Sequence, residues 1–207
     1  GEGSPVIYST GNIIVNNVNG IANNSEIGVV EGKNSITLTN SNVTGYKDNG
    51  FMLYQSFSGD AESGIARLKA ENNTLTTHAT GAFLYVNNTT AEVDLSNNAI
   101  SMPNTSTLVK AAADSRWGKT GENGGHLTLR TSNQELSGNI MADSISTIAL
   151  DMTNGSILVG AVNTANTAKE ITMKLSKDST WTLTGDSYVK SLTNEDTTNS
   201  NIHLNGY

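Results

Sequence analysis

Few side chains in this sequence are grouped for chemistry. The three histidines, His78, His126 and His203, are far apart, and none stands in the His-Glu-x-x-His spacing that sets two imidazoles around zinc. Each reads as a surface histidine. No Gly-x-Ser-x-Gly elbow, P-loop or dinucleotide fingerprint occurs, nor the Gly-Gly-x-Gly-x-Asp repeat that holds calcium. With no cysteine, disulfides and thiolate metal sites are excluded. No metal or organic cofactor is expected.

Two segments still carry suggestive residues. Asp60-Ala61-Glu62, followed by Arg67 and Lys69, offers carboxylates for Ca²⁺ and a base that could remove the proton α to a uronate carboxylate. Asp48, Asp60 and Glu62 would then line an acidic cleft. The plainer reading is a solvated loop followed by a solvent-facing strand. The second segment is the Gly-rich stretch from Asp114 to His126. There, Trp117 between Arg116 and Lys119 could stack on a sugar ring while the polar neighbours hold its hydroxyls. The alternative is that the indole plugs the long loop onto the body of the protein. Gly118, Gly121, Gly124 and Gly125 should keep this excursion out of strand pairing.

The elements that must position these groups are strands. A recurring phrase runs from an alternating strand through an Asn-rich corner to an aliphatic residue, a loop and a second apolar strand. Ser35–Val43 with Gly50–Tyr54, Ala66–Leu75 with Gly81–Val86, and Ala91–Ile100 with Ser106–Lys110 are three copies. Leu127–Leu136 and Ile148–Ile157 continue it at intervals of roughly 20–35 residues, the spacing of stacked repeats. The alternation has period two, and few windows offer a helical stripe. Asn72-Asn73, Asn87-Asn88 and Asn97-Asn98 suit corners, because Asn tolerates the left-handed conformation and its amide can bond a stacked copy above it. The expected fold is all-β, a single-stranded right-handed parallel β-helix over residues 1–207 as one domain. Leu38, Leu68, Leu95, Leu129 and Leu150 should point inward, one per rung. A β-sandwich is the competitor, but its hairpins need tight two-residue turns that the phrase does not supply.

Composition narrows the partners. Only 15% of residues are charged, with a formal net charge of −7, which does not suit a phosphate-binding groove built on clustered Lys and Arg. No nucleic acid is expected, and a monomer is expected. No apolar run is long enough for a transmembrane helix, and no signal peptide is seen. The lack of a starting Met and the ending Asn205-Gly206-Tyr207 suggest a segment of a longer chain, with Gly1 an added residue. Sequons such as Asn42-Val43-Thr44 and Asn72-Asn73-Thr74 arise by chance in so Asn- and Thr-rich a chain. The Thr37/Thr39 and Thr182/Thr184 pairs are too few for an ice-binding face.

From Arg116 onward the residues are more distinctive: Arg116-Trp117-Gly118, Asn123-Gly124-Gly125, Gln134 to Ile140, Gly155 to Asn163, and Ser179 to Val189. These resemble large secreted or cell-surface bacterial proteins with pectin-lyase-like right-handed β-helices. The Trp181-centred phrase is similar to the last passenger rungs of autotransporter adhesins. The resemblance implies an extracellular β-helix and brings no catalytic residues. Trp181, Leu183, Tyr188, Val189 and Leu192 should cover the end of the stack, with Gly185-Asp186 as a turn. The expected function is a non-enzymatic surface adhesin or stalk segment that meets host surfaces or carbohydrate, with Arg116, Trp117 and Lys119 as the ligand-binding candidates. The alternative is a carbohydrate-active β-helix enzyme such as a polysaccharide lyase.

Overall fold

Parallel pairing dominates the computed structural model, which describes residues 3–57, 59 and 61–207. Among the described residues there is no helix, and every paired strand is parallel to its neighbour. The chain visits three faces in turn and then returns to the first. The first sheet takes Ile7–Ser9, Gly28–Glu31, Phe51–Tyr54, Leu84–Asn87, Thr107–Ala111 and Asn139–Ala142. The second takes Asn12–Asn16, Ser35–Thr39, Ile65–Glu71, Thr89–Ser96, Gly125–Ser132, Thr147–Thr153, Glu170–Leu175 and Ser191–Asn194. The third holds Asn19–Ala22, Asn42–Gly45, Thr74–Thr77 and Ala99–Ser101; a fourth holds Glu135–Ser137, Ile157–Val159, Thr180–Thr182 and Ile202–His203. This all-β stack of parallel strands is compatible with the expected β-helix.

Residues alternate in and out along the strands of the second sheet up to Glu170–Leu175, so its inner columns can be read from register. Ile13, Ile36, Leu68, Val93, Leu129, Leu150, Met173 and Leu192 follow one another pass by pass. Two residues along lies the column of Val15, Leu38, Ala70, Leu95, Thr131, Met152 and Leu175. The five expected leucines are all buried, but they occupy two adjacent columns rather than one ladder. Leu38 pairs with Ala70, and Leu68 with Ile36, because the register set at the corners offsets them by two residues.

The outer face of the same sheet carries charge in strict alternation. Lys69, Asp94, Arg130, Asp151 and Lys174 stand directly above one another on five consecutive passes. The Arg130 guanidinium reaches both Asp94 and Glu92 at 3.4 Å.

The corners are made by asparagine. Asn17, Asn40, Asn72, Asn97, Asn133 and Asn154 all have left-handed φ, between 48° and 58°, a conformation that Asn accepts more readily than most side chains. After Asn40, Asn72, Asn97 and Asn133 the next residue is buried. Ser41 N–H donates to Asn73 Oδ1 at 2.9 Å, Asn73 Nδ2 to Asn98 Oδ1 at 2.8 Å, and Asn98 Nδ2 to Gln134 Oε1 at 3.0 Å. Gln134 N–H then donates to Ser156 Oγ at 3.3 Å. Asn73, Asn98 and Gln134 are buried, so each amide satisfies groups on the neighbouring pass that water does not reach.

At the far end, Trp181 is buried and its Nε1–H donates to the Gly160 carbonyl at 3.0 Å. With Leu183, Tyr188, Val189 and Leu192 it lines a cavity of about 570 Å³.

Candidate functional site

Strands buried on both faces need a cover on each side. In Gly28–Glu31, Phe51–Tyr54 and Leu84–Asn87 every residue is buried, so the outside of the first sheet is covered as well as its inside. Outward residues there form a column of Tyr8, Val29, Met52, Tyr85, Lys110 and Met141. Val29, Met52, Tyr54, Ala82, Tyr85 and Ala112 make a second apolar cluster, separate from the core, with Trp117 packed against it. The cover is the excursion between Thr107–Ala111 and Gly125–Ser132.

Asn123 fastens that excursion. Its Nδ2 donates to the carbonyls of Asp114 at 2.8 Å and Trp117 at 2.7 Å. Gly118 has φ of +75°, and a Cβ there would lie 2.2 Å from Asn88 Oδ1, so the loop closes this tightly only with glycine. Gly125 departs from the expectation that it breaks pairing: it opens a strand and pairs with Thr89.

The half-buried Trp117 ring tilts 50° against Tyr54, with centroids 5.2 Å apart, and lies 6.2 Å from the exposed ring of Phe57. One side of the indole packs against the second apolar cluster and pins the loop, and the ring is only partly covered. Arg116 is exposed and its Nη2 lies 3.0 Å from Asp114 Oδ2, which also accepts from the Tyr85 hydroxyl at 3.3 Å. Lys119 pairs with Glu122 at 2.6 Å, so its charge is engaged within the loop. Trp117 and Arg116 stand at the first-sheet face, whereas among the described residues no contact brings Lys119 onto the aromatic cluster.

Next to Trp117 lies a polar group that sequence reasoning missed. The hydroxyls of Tyr8 and Ser56 donate to the Glu31 carboxylate, Tyr54 reaches it at 3.4 Å, and the two tyrosine oxygens are 3.0 Å apart. Burial, then the bond to Glu31, pushes the Tyr8 phenol far above its ordinary range, and burial raises Tyr54 as well. Tyr85 is raised by burial and by Asp114. Burial alone would raise Asp114, but the Arg116 backbone N–H and guanidinium outweigh it and hold the carboxyl below its usual value. The phenols therefore stay protonated at neutral pH. They act as hydrogen-bond donors beside an aromatic face.

The acidic segment is arranged differently. Asp48 occupies a left-handed corner before Phe51–Tyr54, where its carbonyl accepts from Gly81 N–H at 3.0 Å. Glu62 follows that strand and pairs with Lys33 at 3.3 Å in solvent. Asp60 lies outside the described residues. Arg67 and Lys69 point out of the second sheet toward Glu92 and Glu71, each at 3.9 Å. Among the described residues no three His, Asp or Glu side chains gather to hold a metal. His78 stacks on Tyr46 at 4.5 Å, while His126 and His203 bond Thr147 and Thr182.

Tyr54 and Tyr85 left one signal in the sequence: the unbroken apolar runs Phe51-Met52-Leu53-Tyr54 and Leu84-Tyr85-Val86, which mark strands covered on both faces. No helix among the described residues is long and apolar enough to cross a membrane. Comparison with protein-family models, curated proteins and solved structures gives no match to this chain.

Proposed function

We propose that this chain is a right-handed parallel β-helical segment of a secreted or surface-exposed bacterial protein, and that it binds carbohydrate without turning it over. The observation that carries this reading is the outer face of the first sheet. There Trp117 is half open above Tyr54, with exposed Phe57 near it and exposed Tyr8 in reach of the Tyr54 hydroxyl, and protonated tyrosine hydroxyls, the Glu31 carboxylate and Arg116 sit within the same patch. A sugar ring presents an apolar C–H face to an aromatic ring and its hydroxyls to such polar groups. The stack beneath acts as the rigid stalk. Arg116 and Trp117 make the contact surface, and Lys119 lies at its outer margin.

Glycan-array binding by the intact chain, repeated with Trp117→Ala and Phe57→Ala, tests the proposal. The expected result is binding of a subset of glycans that both changes weaken. Binding that survives both changes would remove the site. Unsaturated or reducing-end products from acidic polysaccharides in the presence of Ca²⁺ would favour a lyase instead.

A further inference from the structure

The outer face of the first sheet continues past the Trp117 excursion. Beyond the point where the chain leaves that sheet, a pocket of about 510 Å³ lies between the strand Asn139–Ala142 and the turn at 163–167. Its lining includes Met141, which is exposed at the last position of the outward column, together with Lys110 and Ala112. Ala112 also belongs to the apolar cluster on which Trp117 packs. The pocket and the aromatic patch therefore share a wall.

Polar groups link the two. Lys110 Nζ lies 5.5 Å from the centroid of the Tyr85 ring, and the Tyr85 hydroxyl shares Asp114 Oδ2 with Arg116. Asp143, in the pocket lining, accepts from Ala113 N–H at 2.8 Å through Oδ2 and from Ile145 N–H at 3.2 Å through Oδ1, which ties the base of the excursion to the pocket. The far wall is held as firmly. Asn163 has φ of +54°, its Oδ1 accepts from the N–H groups of Thr167 and Ala168 at 3.0 and 3.1 Å, and its Nδ2 donates to the Tyr188 carbonyl at 3.1 Å. Two groups keep capacity for a ligand. Lys110 makes no ion pair among the described residues, and each oxygen of Asp143 accepts one bond and can take another.

We propose that this pocket is a second subsite of the carbohydrate site, so that the protein takes chains of several sugar rings rather than single terminal sugars; the inference rests on the binding role given above to Trp117. The indole lies against Tyr54, and Met141 stands three passes further along the stack, a rise of about 14 Å at the usual strand spacing. One ring cannot touch both. A chain that passes Arg116 and Asp114 brings a later ring to Met141, whose flexible thioether adapts to an apolar ring face. The hydroxyls of that ring meet Lys110 as donor and Asp143 as acceptor. Arg116 and Lys110 are matched by Asp114 and Asp143, so neutral chains suit the path.

Size ladders of neutral β-linked glucose, N-acetylglucosamine and xylose chains, from disaccharide to hexasaccharide, are the probe, read by titration calorimetry. At least one ladder should bind, with the hexasaccharide on the order of tenfold tighter than the disaccharide. Ala165→Trp, on the exposed turn, fills the pocket and should bring the hexasaccharide down to the affinity of the disaccharide, which itself stays unchanged. Trp117→Ala should weaken every member of the ladder. A disaccharide that binds as tightly as the hexasaccharide, or a hexasaccharide indifferent to Ala165→Trp, overturns the second subsite and leaves the Trp117 patch standing. Absence of binding across all three ladders overturns both. If Ala165→Trp does not fold, Met141→Ala, at an exposed side chain, decides between the same outcomes.

Discussion

Asn98 Oδ1 accepts from both the backbone N–H of Asn73, at 3.1 Å, and its Nδ2, at 2.8 Å, while Asn98 Nδ2 donates to the Ala70 carbonyl at 2.8 Å. One buried amide therefore links three consecutive passes with Gln134 above it. Replacing Asn98 with Ala removes the acceptor of the Asn73 N–H and a donor to the Ala70 carbonyl in a dry corner. The expected cost is on the order of 3 kcal/mol, read as a lowered denaturant midpoint at unchanged m-value. Asn97→Ala, at an exposed corner, should cost less and act through its left-handed φ.

Trp117→Ala removes an indole that is half covered. The expected loss of stability is about 1–2 kcal/mol, below that of a fully buried aromatic, and glycan binding should weaken under conditions where thermal unfolding shows an intact fold. A change that destabilises by this amount yet leaves binding unaltered would make the ring a plug alone.

Asp196 gives the pH prediction. The hydroxyls of Thr198 and Ser200, each at 2.7 Å, and their backbone N–H groups all donate to it, holding its carboxyl well below the usual value. A depressed folded-state pKa contributes stability above the unfolded value of about 4, and that stability is lost as pH falls further through the folded-state value. The midpoint difference between wild type and Asp196→Asn should be constant near neutrality and shrink below about pH 4. A difference that is constant through acid would refute the assignment.

At the alkaline end the sign reverses. Tyr8, Tyr54 and Tyr85 are raised by burial, so their contribution is full below the unfolded value of about 10 and is lost as pH rises through the folded-state values. Absorbance near 295 nm should show three of the six tyrosines ionising only together with unfolding.

Arg130→Glu would stack three carboxylates at Asp94, position 130 and Asp151. Like charges directly opposite one another on a sheet repel. The expected destabilisation is about 1 kcal/mol, reduced in high salt because the face is exposed.

The corners are legible in the sequence because few residues besides Asn and Gly accept left-handed φ, so Asn72, Asn97 and Asn133 announce themselves. Column membership is not. Leu38 and Leu68 both alternate correctly, and only the residues consumed at each corner decide that Leu38 meets Ala70 while Leu68 meets Ile36. The aromatic type of Trp117 makes it a candidate at once. Its surroundings are hidden, since Tyr8, Glu31 and Tyr54 come from three passes and meet only when those passes stack.

The charge alternation on the second sheet carries a consequence for how the chain finds its order. If one pass were skipped during assembly, Lys69 would dock beside Arg130, and Asp94 beside Asp151. Similar repeats compete for the same neighbour while the stack grows, and apolar inner columns tolerate such exchanges well. The outer column works as a parity check: from Lys69 to Lys174 it penalises any arrangement in which a single pass is omitted or looped out and favours the one in which each strand follows its own predecessor.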